Sequence, residues 1–187
     1  VNFNGHGGGN IWSDSRFFSW SDLGRLYNDQ WGKSGKLPVI FSFTCLTGFF
    51  ESVFYRSLGE EFLRYGKNGA ICFYGASSYT SQEGNIIMNR ILLDYAVNGE
   101  FESLGELLWL TEMNMLIRYG ASQLPLIRQY NLLGDPALPW SLVADTMTLS
   151  LEKSALEAGD SLSVSAATPP VHGGYVSIDV QADKQQW

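Results

Sequence analysis

The stretch Leu37-Pro38-Val39-Ile40-Phe41-Ser42-Phe43-Thr44 constrains the fold most. Its middle is apolar on successive residues rather than on alternate ones, so a strand here buries side chains on both faces and needs cover on both. Strands of this kind belong to parallel sheets, where helices supply the cover. Val1–Asn4 has the texture of a short strand end, and Gly69-Ala70-Ile71-Cys72-Phe73-Tyr74-Gly75 that of a third strand closed by glycines. Between these runs lie helix starts. Ser21 precedes Asp22 and the series Leu23, Leu26, Tyr27, and Ser57 with Glu60 forms a capping box ahead of Phe62 and Leu63. Ser103 with Glu106 repeats that box before an apolar helix to about Tyr119, and a helix from Glu83 to Ala96 places Ile87, Ile91 and Tyr95 on one stripe. The expected fold class is α/β, a mostly parallel sheet with helices on both faces.

The texture changes at Trp140. All 11 phenylalanines precede it, and only Tyr175 and Trp187 follow among the aromatic residues. Beyond it, Thr146–Leu151, Ser161–Ala166 and Tyr175–Val180 alternate polar with apolar residues, which is strand period. Gly159-Asp160, Pro169-Pro170 and Gly173-Gly174 separate the runs. Two domains are therefore expected, an α/β part over 1–142 and the opening strands of a β-sandwich over 143–187.

Composition excludes several classes of function. With 45% hydrophobic and 17% charged residues in 187, the chain is too apolar for a disordered tail. Twelve basic against 19 acidic residues leave a net charge of −7 and no basic stretch, which disfavours nucleic-acid binding. No apolar run reaches the roughly 18 residues of a membrane span. The start at Val1 is neither an initiator methionine nor a signal peptide, so the chain reads as a piece of a longer protein. Cys45 and Cys72 are too few to staple a small secreted scaffold.

In an open parallel sheet, catalytic groups collect just past the carboxyl ends of the strands. His6 stands there in Asn4-Gly5-His6-Gly7-Gly8-Gly9-Asn10, and Cys45 directly follows Thr44. A thiol needs a base to become a nucleophile near neutral pH, and imidazole titrates in the right range. Glycines beside His6 would let backbone N–H groups approach a substrate carbonyl, as an oxyanion hole requires. Each feature also has a plainer reading: Cys45 as a small buried hydrophobe, the glycine loop as a turn. His6-Gly7-Gly8-Gly9 is similar to the oxyanion loop of lipases, but no Gly-x-Ser-x-Gly accompanies it. Gly159-Asp160-Ser161-Leu162 spells another lipase motif, yet lies between strand-patterned runs, with His172 close behind Pro169, and is better read as a hairpin turn. Two histidines and two cysteines give no metal-ligand spacing. Asp135, before Pro136, reads as a turn residue, and Cys72, in mid-strand, as core.

Three strings, Asn4-Gly5-His6-Gly7-Gly8, Leu37–Phe41 leading into Cys45-Leu46-Thr47-Gly48-Phe49, and Asn131-Leu132-Leu133-Gly134-Asp135-Pro136-Ala137-Leu138, resemble in this order the gingipain family of cysteine peptidases, of the caspase-like clan. The resemblance implies a caspase-like fold over 1–142 and an immunoglobulin-like start over 143–187. It implies Cys45 as nucleophile, His6 as general acid/base, and the N–H groups of Gly7 and Cys45 as oxyanion donors. A thioacyl-enzyme would form and be hydrolysed by water. Gly48 matches a glycine of the family's tight turn, and Ala76-Ser77-Ser78-Tyr79-Thr80-Ser81 matches a loop that walls the P1 pocket, with Ser77, Ser78 and Tyr79 as its candidates. Tyr79 is equally a half-exposed loop aromatic. The family's acids that orient the histidine and select a basic P1 side chain would precede Val1, so residues 1–187 alone are expected to turn over little peptide. The resemblance implies protein or peptide substrates, a secreted or cell-surface location, no cofactor in the chemistry, and room for a structural calcium. A secretion-associated, non-catalytic member of the family is the alternative, against which the presence of both His6 and Cys45 counts.

Overall fold

The structure, a computed structural model, describes residues 1–13, 17–26, 37–65, 69–99, 101–140, 148–151 and 164–167. The chain divides into two units, Val1–Leu142 and Val143–Trp187.

In chain order the first unit contains β1 (Asn2–Asn4), β2 (Gly7–Gly8), β3 (Ile11–Trp12), β4 (Phe18–Ser19), α1 (Leu23–Leu26), β5 (Val39–Phe43), α2 (Leu58–Arg64), β6 (Cys72–Ala76), α3 (Gln82–Asn98), α4 (Leu104–Tyr119), α5 (Leu124–Ile127) and β7 (Tyr130–Leu133). One sheet has the order β1-β5-β6-β7. Its first three strands are parallel, and β7 joins β6 antiparallel. The short strands β2, β3 and β4 form a separate antiparallel meander.

Alternation along β5 and β6 divides the core into two layers, as burial on both faces requires. Phe41, Phe43, Cys72, Tyr74 and Ala76 pack with Met88, Ile91 and Leu92 of α3 and Leu104, Leu107 and Met115 of α4. Ile40 and Phe73 face the other way, onto Leu58 and Phe62 of α2, Leu23 of α1 and Trp12 of the meander. The mixed α/β fold with a mainly parallel sheet is as expected; helices lie on both faces, with the meander sharing the second.

Local signals hold in differing degree. Ser57 caps α2 with the full box: its hydroxyl accepts the Glu60 N–H at 3.3 Å, and the Glu60 carboxylate accepts the Ser57 N–H at 2.8 Å. At α4 the box is half formed. Ser103 accepts the Glu106 N–H, but the Glu106 carboxylate takes the N–H of Glu102 instead. The helical segment expected to start at Ser21 starts earlier: Ser19 caps a 3-10 turn, Trp20–Asp22, and Asp22 accepts its N–H at 2.9 Å. Tyr27 lies outside the described residues. On α3 the buried centre is Asn85, Met88, Ile91 and Leu92, with Ile87 and Tyr95 at its margin. The third strand begins at Cys72, not Gly69, because Ala70 N–H bonds Phe62 and Ile71 N–H bonds Pro38. Asp135 turns the chain as expected, accepting the Ala137 N–H at 2.8 Å, and Cys72 is buried.

In the second unit, β8 (Thr148–Leu151) and β9 (Val164–Ala167) pair antiparallel. β8 falls within the expected run Thr146–Leu151, and β9 overlaps the expected run Ser161–Ala166 and extends one residue past it. The third run, Tyr175–Val180, and the turns at Gly159-Asp160, Pro169-Pro170 and Gly173-Gly174 lie outside the described residues.

Candidate active site

Strands β1 and β5 run parallel in the register Asn4↔Phe43. Pairing continues one residue further, where the Gly5 N–H donates to the Phe43 carbonyl at 3.3 Å. His6 and Cys45 each lie two residues past that last register pair, so neighbouring strands deliver them to the same carboxyl edge. His6 is exposed and Cys45 half-buried.

The hairpin of β2 and β3 sets the backbone beside His6. The Ser13 N–H donates to the His6 carbonyl at 2.7 Å, which makes His6–Ser13 a bonded pair. By the alternation of antiparallel ladders, Gly7, opposite Trp12, takes a non-bonded position with its N–H turned away from β3. Gly7 also permits close approach: a Cβ there would collide with the Thr44 side chain and reach 3.1 Å from the Cys45 carbonyl oxygen. The glycine thus seats the histidine segment directly on the cysteine segment.

Past Cys45 the chain reverses tightly. Leu46 has φ +62°, a left-handed conformation uncommon outside glycine. Hydrogen bonds to the β6 side hold it there: Leu46 N–H to Ser78 carbonyl at 3.1 Å and Gly48 N–H to Ala76 carbonyl at 2.9 Å. A Cβ on Gly48 would lie 2.8 Å from the Gly75 carbonyl oxygen, so the turn needs glycine there. Beneath it, the buried Thr47 hydroxyl meets Ser42 at 2.8 Å and Thr44 at 3.1 Å. Ser42 in turn accepts the Trp12 indole N–H at 2.8 Å, tying the turn to the meander.

The sulfur of Cys45 faces the loop after β6. It accepts the Thr80 backbone N–H at 3.3 Å and lies 3.5 Å from the Thr80 carbonyl and 3.6 Å from its hydroxyl. The three candidates for a P1 wall are disposed differently. Ser77 is tied to the start of β7 through the Gln129 carbonyl, Ser78 holds Leu46 with its carbonyl, and Tyr79 is 74% exposed. Sequence reasoning passed over Thr80 as a contact of the sulfur. Inspecting the residues past each strand end, which pointed to His6 and Cys45, applies equally to β6 and would have found it. Both cysteines are free.

A calcium ion takes about 6–8 oxygen ligands, typically with several carboxylates. Among the described residues no group of three or more His, Cys, Asp or Glu side chains could hold a metal ion. No helix among them is long and apolar enough to cross a membrane.

Comparison with known structures gives the fold. The crystal structure of the Arg-specific cysteine proteinase gingipain R superposes with a TM-score of 0.61 at 22% identity, over 81% of this chain and 35% of that one. The complex of Porphyromonas gingivalis RgpB pro- and mature domains gives 0.57 at 20% identity, over 80% and 36%. A further structure, described as a protease, gives 0.62 at 18% identity, over 88% and 41%. The chain thus spans roughly a third of the gingipain chains it matches. Curated proteins give no match. The profile of peptidase family C25 covers residues 1–141, the whole α/β unit with its His-Gly and cysteine-bearing strand ends, and the chain belongs to that family.

Proposed function

We propose that the protein is a cysteine endopeptidase in which Cys45 is the nucleophile and His6 the general acid/base. The observation that carries this reading is the delivery of both residues, by adjacent parallel strands in one register, to a single carboxyl edge. The thiolate attacks the scissile carbonyl, forming a C–S bond; collapse of the tetrahedral intermediate breaks the C–N bond, and the imidazolium gives its proton to the leaving amine. Water activated by the same imidazole then hydrolyses the thioester. The N–H groups of Gly7 and Cys45 are the proposed oxyanion donors; the turning of Gly7 N–H away from β3 supports its share. The chemistry needs no cofactor.

Ser77, Ser78 and Tyr79 form part of the P1 wall in this reading, and proteins or peptides are the substrates. The antiparallel pair β8–β9 begins an immunoglobulin-like domain, and the protein acts outside the cell or at its surface.

The test uses the full-length protein that carries this sequence. Cys45→Ala and His6→Ala should each abolish peptide hydrolysis, and the double variant should be no worse than either, because nucleophile and base act as a unit. Hydrolysis that survives Cys45→Ala would sink the assignment. A full-length protein without peptidase activity before any substitution would favour the non-catalytic alternative.

A further inference from the structure

A line of polar groups runs from the antiparallel strand β7 through the core to the sulfur of Cys45. Tyr130, 5% exposed, donates its hydroxyl to Asn85 Oδ1 at 2.8 Å. Asn85, 2% exposed, donates from Nδ2 to the Thr80 hydroxyl oxygen at 2.9 Å. Thr80 then meets the sulfur three times, through its N–H at 3.3 Å, its carbonyl, which accepts from the thiol at 3.5 Å, and its hydroxyl at 3.6 Å.

The donor and acceptor inventory gives this line a direction. A phenol that donates to Asn85 Oδ1 leaves the amide NH2 facing Thr80. The Thr80 oxygen therefore accepts, and its single hydrogen remains to be donated. The sulfur at 3.6 Å is one acceptor within reach, and the Tyr130 phenol oxygen, which also meets the Thr80 hydroxyl, is the other. Burial pushes the Tyr130 phenol far above its ordinary range, so the group that orients the line stays protonated. Buried polar networks are costly unless every member is satisfied, and an apolar pair could fill the Tyr130 and Asn85 positions without that risk. Here the satisfied line ends on the one thiol at the sheet edge.

We propose that Thr80 is a catalytic residue that donates two hydrogen bonds, from its N–H and its hydroxyl, to the Cys45 thiolate, and that Asn85 and Tyr130 are positioning residues that aim the hydroxyl. The proposal rests on the reading of Cys45 as the nucleophile.

The test is the rate at which iodoacetamide alkylates Cys45 at one fixed pH, followed by mass spectrometry of its peptide. Thr80→Val should slow alkylation about three- to tenfold, the loss of one hydrogen bond to an anion offset in part by the greater nucleophilicity of a more basic thiolate. Thr80→Ser, which keeps the hydroxyl, should restore the rate. Tyr130→Phe should slow it in the same direction, and adding it to Thr80→Val should cause no further loss, because both act through one hydrogen. In turnover, the variants should lower kcat and leave KM unchanged. A purely structural role would leave alkylation unchanged or speed it through better access, and either result overturns the proposal. Protection of the buried Cys72 reports folding; if Thr80→Val unfolds the chain, Tyr130→Phe decides by the same rate. The failures are separable: turnover surviving Cys45→Ala removes the peptidase assignment, whereas unchanged alkylation with an inactive Cys45→Ala removes only the role of Thr80.

Discussion

The backbone N–H of Thr80 donates to the sulfur of Cys45 across 35 residues of sequence, at 3.3 Å. The contact joins the carboxyl ends of β5 and β6, so the sulfur is held by the strand neighbouring its own, on the side away from β1. The sulfur is gripped from the β6 side, while β1, which carries His6 past its end, lies on the other side of β5.

The two thiols should differ sharply in reactivity. Cys72 is fully buried, and burial pushes its thiol up, which leaves little thiolate at neutral pH. In the native protein iodoacetamide should modify Cys45 and spare Cys72; in concentrated urea both should react. Peptide mass mapping reads this directly. Equal labelling of both under native conditions would contradict the described core.

Gly7→Ala should damage site and fold together. The added methyl overlaps the Thr44 side chain, and overpacking of this kind costs about 1–3 kcal/mol. A lower urea midpoint and a loss of turnover are expected. Adding Thr44→Gly, which removes the colliding atoms, should recover part of the stability. No recovery would mean that the two segments are not packed as described.

Leu46→Ile keeps the volume but places a branched Cβ at φ +62°. Left-handed backbone is least tolerant of such residues, and the change should cost about 1 kcal/mol. Chemical denaturation measures it, with the same substitution at the ordinary helical position Leu93 as reference.

Glu112 sets a pH dependence of stability. Burial raises its carboxyl above the ordinary 4.5, opposed by the hydrogen bond from Tyr74 at 2.9 Å. A raised carboxyl binds its proton more tightly folded than unfolded. Its contribution is therefore complete below 4.5 and is lost as pH rises through the folded value above it. Glu112→Gln, which still accepts from Tyr74, should flatten that decline and raise the stability at neutral pH. Urea midpoints measured on both proteins from pH 4 upward, in steps of about half a unit, would show whether the decline disappears.

Much of the fold was legible because its signals are local. The unbroken apolar stretch before Cys45 announced a strand covered on both sides, and Ser57 and Ser103 announced helix starts within the reach of one turn. What remained hidden depends on distant parts of the chain. Nothing in Tyr130–Leu133 taken alone says that this strand runs antiparallel to β6, since direction is decided by the helices that return the chain. Tyr130 lies on β7, Asn85 on α3 and Thr80 in the loop before α3, and only folding brings the first of these into line with the other two. The candidate pair was more accessible, because position past a strand end is a property of the sequence once the strands are known.

Of the two strands that carry the proposed pair, β5 is central and β1, three residues long, is outermost among the described residues, with β5 its one neighbour there. The histidine is therefore mounted on the weaker support. Amides of β1 should exchange with solvent sooner than those of β5, and thermal fraying should carry His6 away while Cys45 stays in place.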